Sequence, residues 1–196
     1  MRPNATKPVS AIARVAALLA LGIALGRTPA AAMSLRGVTF PDTATVGGAA
    51  VQLNGMGVRV AYVFVKIYVA GLYLTTPTHD AKAAISTDEP KRMLLQFLRE
   101  ISHTEMVSAM KDGFAVTATA ALQPQVDQFS ATFTEPLKEG TQVQLDYVPG
   151  QGTSVTIAGK AKGTIAGADF MRALWAIWLG DKPVDGGLKD GLLGSS

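Results

Sequence analysis

Arg59 is the residue whose placement most needs a chemical reason. It closes the segment Leu53-Asn54-Gly55-Met56-Gly57-Val58-Arg59 and leads straight into Val60-Ala61-Tyr62-Val63-Phe64-Val65, the start of a long apolar, β-branched and aromatic run. A guanidinium stays charged and presents a planar fork of donors that fits a carboxylate or phenolate bidentately. Beside such a run it needs an anion, supplied either by a ligand or by an acid of the same chain. Arg99 is the second candidate. It continues the two-residue period of Met93, Leu95 and Phe97, so it either extends another guanidinium over their face or pairs with Glu100 or a further surface acid. Lys66 reads as solvated or paired. His79 and His103 stand at expected helix starts without companions at metal-ligand spacing, so neither a metal nor a cofactor is expected. No Gly-x-Ser-x-Gly, phosphate loop or Cys-His pairing occurs, which removes the commonest hydrolase and nucleotide chemistries.

The elements that must position these residues follow from periodicity. Alternation predicts strands over 38–40, 50–53, 58–74 and 92–99, with the glycines of 55–57 read as a turn before the third. At 17 residues the third is far longer than usual, so a bulge is expected within it, near 63–65 or at Gly71. Thr78 is a candidate cap for a short helix over 78–85. Ser102 or Thr104 starts a helix carrying Met106, Met110 and Phe114, and another follows Pro124 with Val126, Phe129 and Phe133. Strands over 141–147, 154–157 and 161–165 precede a helix over 168–179 stopped by Gly180, and a short helix over 187–193. Strands, helices, a hairpin and helices again indicate an α+β fold with a mainly antiparallel sheet, in one domain over 33–196.

Residues 1–32 read as a secretory signal peptide. Arg2, Lys7 and Arg14 precede the apolar stretch 15–26, and Ala30-Ala31-Ala32 offers a cleavage site. Twelve apolar residues are too few to span a bilayer, which takes roughly 20, so the expectation is export to a bacterial periplasm with no stable membrane anchor after cleavage. Removal takes four of the 18 basic residues and none of the 15 acids, leaving a net charge of −1. The apparent basicity resides in the leader, and nucleic-acid binding is set aside. With no cysteine there is no disulfide framework, and stability rests on the core.

The 53–74 segment, with its Gly-x-Arg, Lys-x-Tyr and Gly-x-Tyr-Leu, resembles the chalcone isomerase-like family. So does the closing block Phe170-Met171-Arg172-Ala173-Leu174-Trp175-Ala176-Ile177-Trp178-Leu179-Gly180-Asp181-Lys182-Pro183-Val184. The resemblance covers roughly 35–194. It implies a curved, mainly antiparallel sheet with helices packed on one face and a cleft between, with Arg59 at that cleft. It also places Tyr68 where the plant enzymes carry a catalytic threonine and the fatty-acid-binding plastid relatives carry a tyrosine. A phenol there donates to the anion that Arg59 holds. Nine residues apart, however, Arg59 and Tyr68 fall on opposite faces of a regular strand, and only a bulge would bring them to one face. Ile177 replaces a second threonine of the plant enzymes. Trp175 and Trp178 share a helical face and serve as core or as cleft wall.

The resemblance implies an exported, non-catalytic protein that binds a small amphipathic anion, with a fatty acid as the best guess. Arg59, Tyr68, Arg99 and Trp178 are the ligand-binding candidates, and Phe97, Met106, Met110, Phe114, Leu174 and Trp178 the apolar lining. The alternatives are an intramolecular lyase or isomerase acting on a chalcone-like phenol, and a cell-envelope interaction module.

Overall fold

The computed structural model describes residues 31–62 and 64–195. The leader read over 1–32 therefore lies, apart from its last two residues, outside the described part. The chain forms β1 (Ala32–Leu35), β2 (Val38–Pro41), β3 (Thr43–Val46), β4 (Ala49–Ala61), β5 (Val65–Leu74), α1 (Ala81–Ser86), β6 (Lys91–Phe97), α2 (His103–Thr117), α3 (Gln123–Ser130), β7 (Gln142–Val148), β8 (Gly152–Ile157), β9 (Lys160–Ile165), α4 (Ala168–Leu179) and α5 (Gly186–Leu192). Strands β3 to β9 make one antiparallel sheet in chain order, and β1 and β2 pair as a separate ribbon. This is the expected α+β class, a curved antiparallel sheet with helices over one face.

Both faces of the sheet are covered at β5. Tyr68, Ala70, Leu72 and Leu74 point into the main core with Met93, Leu95, Phe114, Phe170, Leu174 and Trp175. Val69 and Tyr73 point the other way, against Val38 and Phe40 of β2 and Met56 of β4. A strand buried on both sides loses the alternation that marks a half-buried one, which is why β5 beyond Lys66 reads as a continuous apolar and aromatic run.

Several expectations are corrected. The single strand over 58–74 is a hairpin: β4 ends at Ala61, β5 begins at Val65, and Tyr62 turns the chain with φ of 48°. The sequence hides this turn because Tyr62-Val63-Phe64 contains no Gly, Asn or Pro. The irregularities lie in β4, between Leu53 and Gly55 and between Arg59 and Val60, rather than at 63–65 or Gly71. The cap of α1 is Asp80, whose carboxylate accepts from the Lys82 amide, while Thr78 Oγ1 accepts from the Asp80 amide. Ser102 does cap α2, in a reciprocal box with Glu105. Phe133 lies beyond α3, although it is buried.

Gly55 and Gly57 are not turn residues. They are alternate positions of β4 facing α5, and they leave that helix lying directly on the strand backbone. A Cβ on Gly55 would stand 2.2 Å from the Gly191 carbonyl oxygen, and one on Gly57 2.6 Å from that of Leu188. Asn54, at the first irregularity, donates to the carbonyls of Thr78 and Leu192 and accepts from the Thr78 amide, fastening the far end of α5.

Buried titratable groups give the fold a characteristic pH profile. Burial pushes the phenols of Tyr68, Tyr73 and Tyr147 up to about 12. Burial also brings the Lys91 ammonium, which donates to the Ala84 carbonyl in α1, down to about 8. The unfolded chain binds the Lys91 proton more tightly than the folded one, so stability rises from about pH 8 towards 10.5 through this group. The tyrosines act oppositely: the folded chain keeps protons that the unfolded chain sheds above about 10, and stability falls from there to about 12. Denaturant titrations across this range should show a shallow rise followed by a steep loss, and Lys91→Met should abolish the rise. A profile falling monotonically from pH 8 in the parent contradicts the assignment.

Candidate functional site

The hairpin correction brings the two expected residues together. Arg59 on β4 is directly opposite Tyr68 on β5, and Tyr68 is directly opposite Phe97 on β6. Directly opposed residues of antiparallel strands project to the same face, so the three form a row on the helix side. They floor a cleft of about 740 Å³. Along α2, Met106, Ala109, Met110, Gly113 and Val116 make one wall, spaced three and four residues apart as a single helical stripe. Gly113 lets α4 come close: a Cβ there would meet Ile177 at 3.0 Å. Lys182, Pro183 and Val184, between α4 and α5, complete the enclosure. That connection is held by the Val184 amide donating to the Ile177 carbonyl and by Lys189 Nζ donating to that of Gly180.

Arg59 lies at the join between this connection and the sheet. Its Nη1 donates to the Val60 carbonyl and stands 3.5 Å from Asp185 Oδ2, with the side chain 26% exposed. Asp185 is the cap of α5, accepting from the Leu188 amide at 3.1 Å and from the Val60 amide at 2.9 Å. The glycine lane in β4 is what lets the start of α5 come so close to the guanidinium. Both sources of an anion thus remain open to Arg59: an internal acid is already beside it, and its remaining donors are available at the cleft. Sequence reasoning missed Asp185. Its only signal was the Asp-Gly-Gly-Leu pattern of a capped helix start.

Tyr68 is buried, packed edge-on to Phe97 with ring centroids 5.5 Å apart. Its hydroxyl accepts a 2.9 Å hydrogen bond from Trp178 Nε1. With its pKa raised by desolvation, and only partly lowered by Trp178 and Arg59, the phenol keeps its proton at neutral pH. That proton has no acceptor among the described residues, and Tyr68 lines the cleft.

The family model described as chalcone isomerase-like matches residues 32–194. The chain belongs to the chalcone isomerase-like family. No curated protein sequence matches it. Among solved structures it is similar to a fatty-acid binding protein of Arabidopsis thaliana, AtFAP1, with a TM-score of 0.68. The alignment covers 83% of this chain and 96% of that one at 14% identity, a likeness of fold.

Within this chalcone isomerase-like fold the remaining candidates separate. Arg99 lies just past β6, exposed and lining the cleft; among the described residues it has no ion pair, neither with Glu100 nor with another acid. Glu105, also on the lining, is held below the usual carboxylate range chiefly by hydrogen bonds from Ser102, with Arg99 a lesser influence. Trp178 is corrected: it does not reach the cleft but stands behind Tyr68, fixing its hydroxyl. One residue turns a helix by about 100°, so Ile177 faces the cleft and Trp178 the core. Phe114 and Leu174 are likewise core, while Phe97, Met106 and Met110 line the cleft as expected. The lining carries Arg59, Arg99 and Lys182 against Glu105 and Asp112, an excess of one positive charge.

Proposed function

We propose that this chalcone isomerase-like protein binds a long-chain fatty acid, without turning it over, and that it does so after export and removal of residues 1–32. The observation that carries the reading is the facing pair Arg59 and Tyr68 on the floor of an otherwise largely apolar cleft. Ligand sites of about 300–1,000 Å³ combine apolar walls with a few placed polar groups, and this one falls in that range. The ligand carboxylate takes the free donors of Arg59 and the Tyr68 hydroxyl, and the tail runs along Met106, Met110, Phe97 and Ile177. The likeness in fold to a fatty-acid binding protein supports the same assignment. Ile177 and Tyr68 argue against cyclisation of a chalcone, because the hydroxyl-bearing threonines of the plant enzymes are replaced by a hydrocarbon and by a phenol fixed by Trp178. Transition-state stabilisation requires positioned donors at such points.

One preparation tests the reading. Native mass spectrometry of protein extracted from the periplasm should show a chain beginning within a residue or two of Met33 and carrying a fatty acid. Recovery only from washed membranes overturns the export. An empty protein that fails to take up added oleate, or saturable turnover of naringenin chalcone lost in Arg59→Ala, overturns the function.

A further inference from the structure

Four large apolar side chains are exposed among the described residues, and three of them are on the cleft or beside it in the chain. Tyr62 is 87% exposed, Phe64 84% and Val116 59%; only Met33 lies elsewhere. Tyr62 and Val116 are on the cleft rim, and Phe64 is beside Tyr62 on the β4–β5 tip. Tyr62 also holds φ of 48°, a conformation that costs a bulky residue roughly 1–2 kcal/mol and that glycine or asparagine adopts readily. The fold thus keeps an exposed aromatic ring where a small residue would be more stable. We propose that this tip docks onto a lipid bilayer, inserting Tyr62 and Phe64 at the interface so that an acyl chain passes directly between the membrane and the cleft.

The geometry favours a bilayer over a second protein. A stable protein interface takes about 800 Å² from each partner, far more than two protruding rings offer, whereas a bilayer needs only a wedge. Tyr and Phe suit the interfacial layer, where one end of a ring is apolar and the other wet. Lys66 is exposed on β5, opposite Val60 and next to the tip, where its stem lies along the acyl boundary and its ammonium reaches the headgroups. The proposal rests on the fatty-acid reading for its purpose, since a long-chain acid is held mainly in membranes, but the docking is measurable on its own.

Flotation with vesicles of equimolar phosphatidylethanolamine and phosphatidylglycerol is the test. The parent protein should float, and Phe64→Ser should lower its partitioning at least about tenfold, the loss of one inserted ring. Tyr62→Asn, tolerated at this φ, should lower it further in the double variant. Phe64→Ser should bind laurate, added below its micellar concentration, as tightly as the parent, yet take up oleate from vesicles about tenfold more slowly. Laurate binding without vesicle binding overturns the docking and spares the fatty-acid reading; vesicle binding without laurate binding does the reverse. Concentration-dependent dimerisation abolished by Phe64→Ser, with no flotation, overturns it in favour of a second copy of this chain.

Discussion

Gly55→Ala is expected to destabilise this protein severely. The new Cβ would lie 2.2 Å from the Gly191 carbonyl oxygen and 2.8 Å from that of Leu192. Neither obstacle is the end of a flexible side chain, so α5 must shift as a body or leave. Overpacking usually costs about 1–3 kcal/mol, and here displacement also strips cover from Leu188, Leu192 and Leu193, each buried. A loss above about 3 kcal/mol is expected, which for a domain of this size is roughly 10 °C in melting temperature. Gly57→Ala should behave similarly, with its Cβ 2.6 Å from the Leu188 carbonyl oxygen. Gly186→Ala supplies the contrast. Nothing lies within 4 Å of a Cβ there, so the change should be neutral or add up to about 1 kcal/mol from helix propensity. Thermal melts of the three variants decide the matter; a Gly55→Ala melt within a few degrees of the parent shows that α5 is not packed on β4 as described.

These glycines also show where sequence reasoning stops. The pattern Gly55-x-Gly57-x-Arg59 was legible as unusual, but glycine before an apolar run signals a turn more readily than a strand lying under a helix. The contact that explains it comes from α5, more than a hundred residues away. Elements whose information is local were recovered well. The stop of α4 at Gly180, the cap at Ser102, one of the two residues expected for it, and the strands over 141–147, 154–157 and 161–165 needed nothing beyond their own residues. The merged strand over 58–74 failed for a local reason of the opposite kind: the turn is built from aromatic and β-branched residues, and its strand pairing outweighs propensity. That single error placed Arg59 and Tyr68 on opposite faces. Correcting it puts the two side by side, with Arg99 on the same cleft. Trp178 shows a finer limit, since on a helix buried over most of its surface, periodicity cannot say which residue meets the cavity and which stands one position behind.

Arg59→Ala is the second large effect, and its meaning depends on Asp185. If the guanidinium holds a ligand carboxylate, removing it forfeits a charge-assisted contact in a partly desolvated cleft, about 1.5–3 kcal/mol or roughly 10- to 150-fold in affinity. Tyr68→Phe should cost less, about 0.5–1.5 kcal/mol, because one neutral hydrogen bond goes and the ring against Phe97 stays. Asp185→Asn separates a ligand role from a structural one. Asparagine keeps the acceptor that caps α5 at the Leu188 amide and gives up the one that Oδ2 offers the Val60 amide, while the carboxylate that competes for Arg59 at 3.5 Å is neutralised. Under the binding reading its affinity for a fatty acid should rise several-fold, while the melting temperature falls by the few degrees that the Val60 hydrogen bond is worth. Under the structural reading, Arg59→Ala should lower the melting temperature by a few degrees, the double variant should lose no more than Asp185→Asn alone, and the folded fraction should bind fatty acid as the parent does. Calorimetric titration with laurate, run beside thermal melts of all four variants, distinguishes the two. Opposite affinity changes in Arg59→Ala and Asp185→Asn are what a ligand-facing guanidinium demands, since only there does the internal carboxylate act as a competitor and not as the purpose of the arginine.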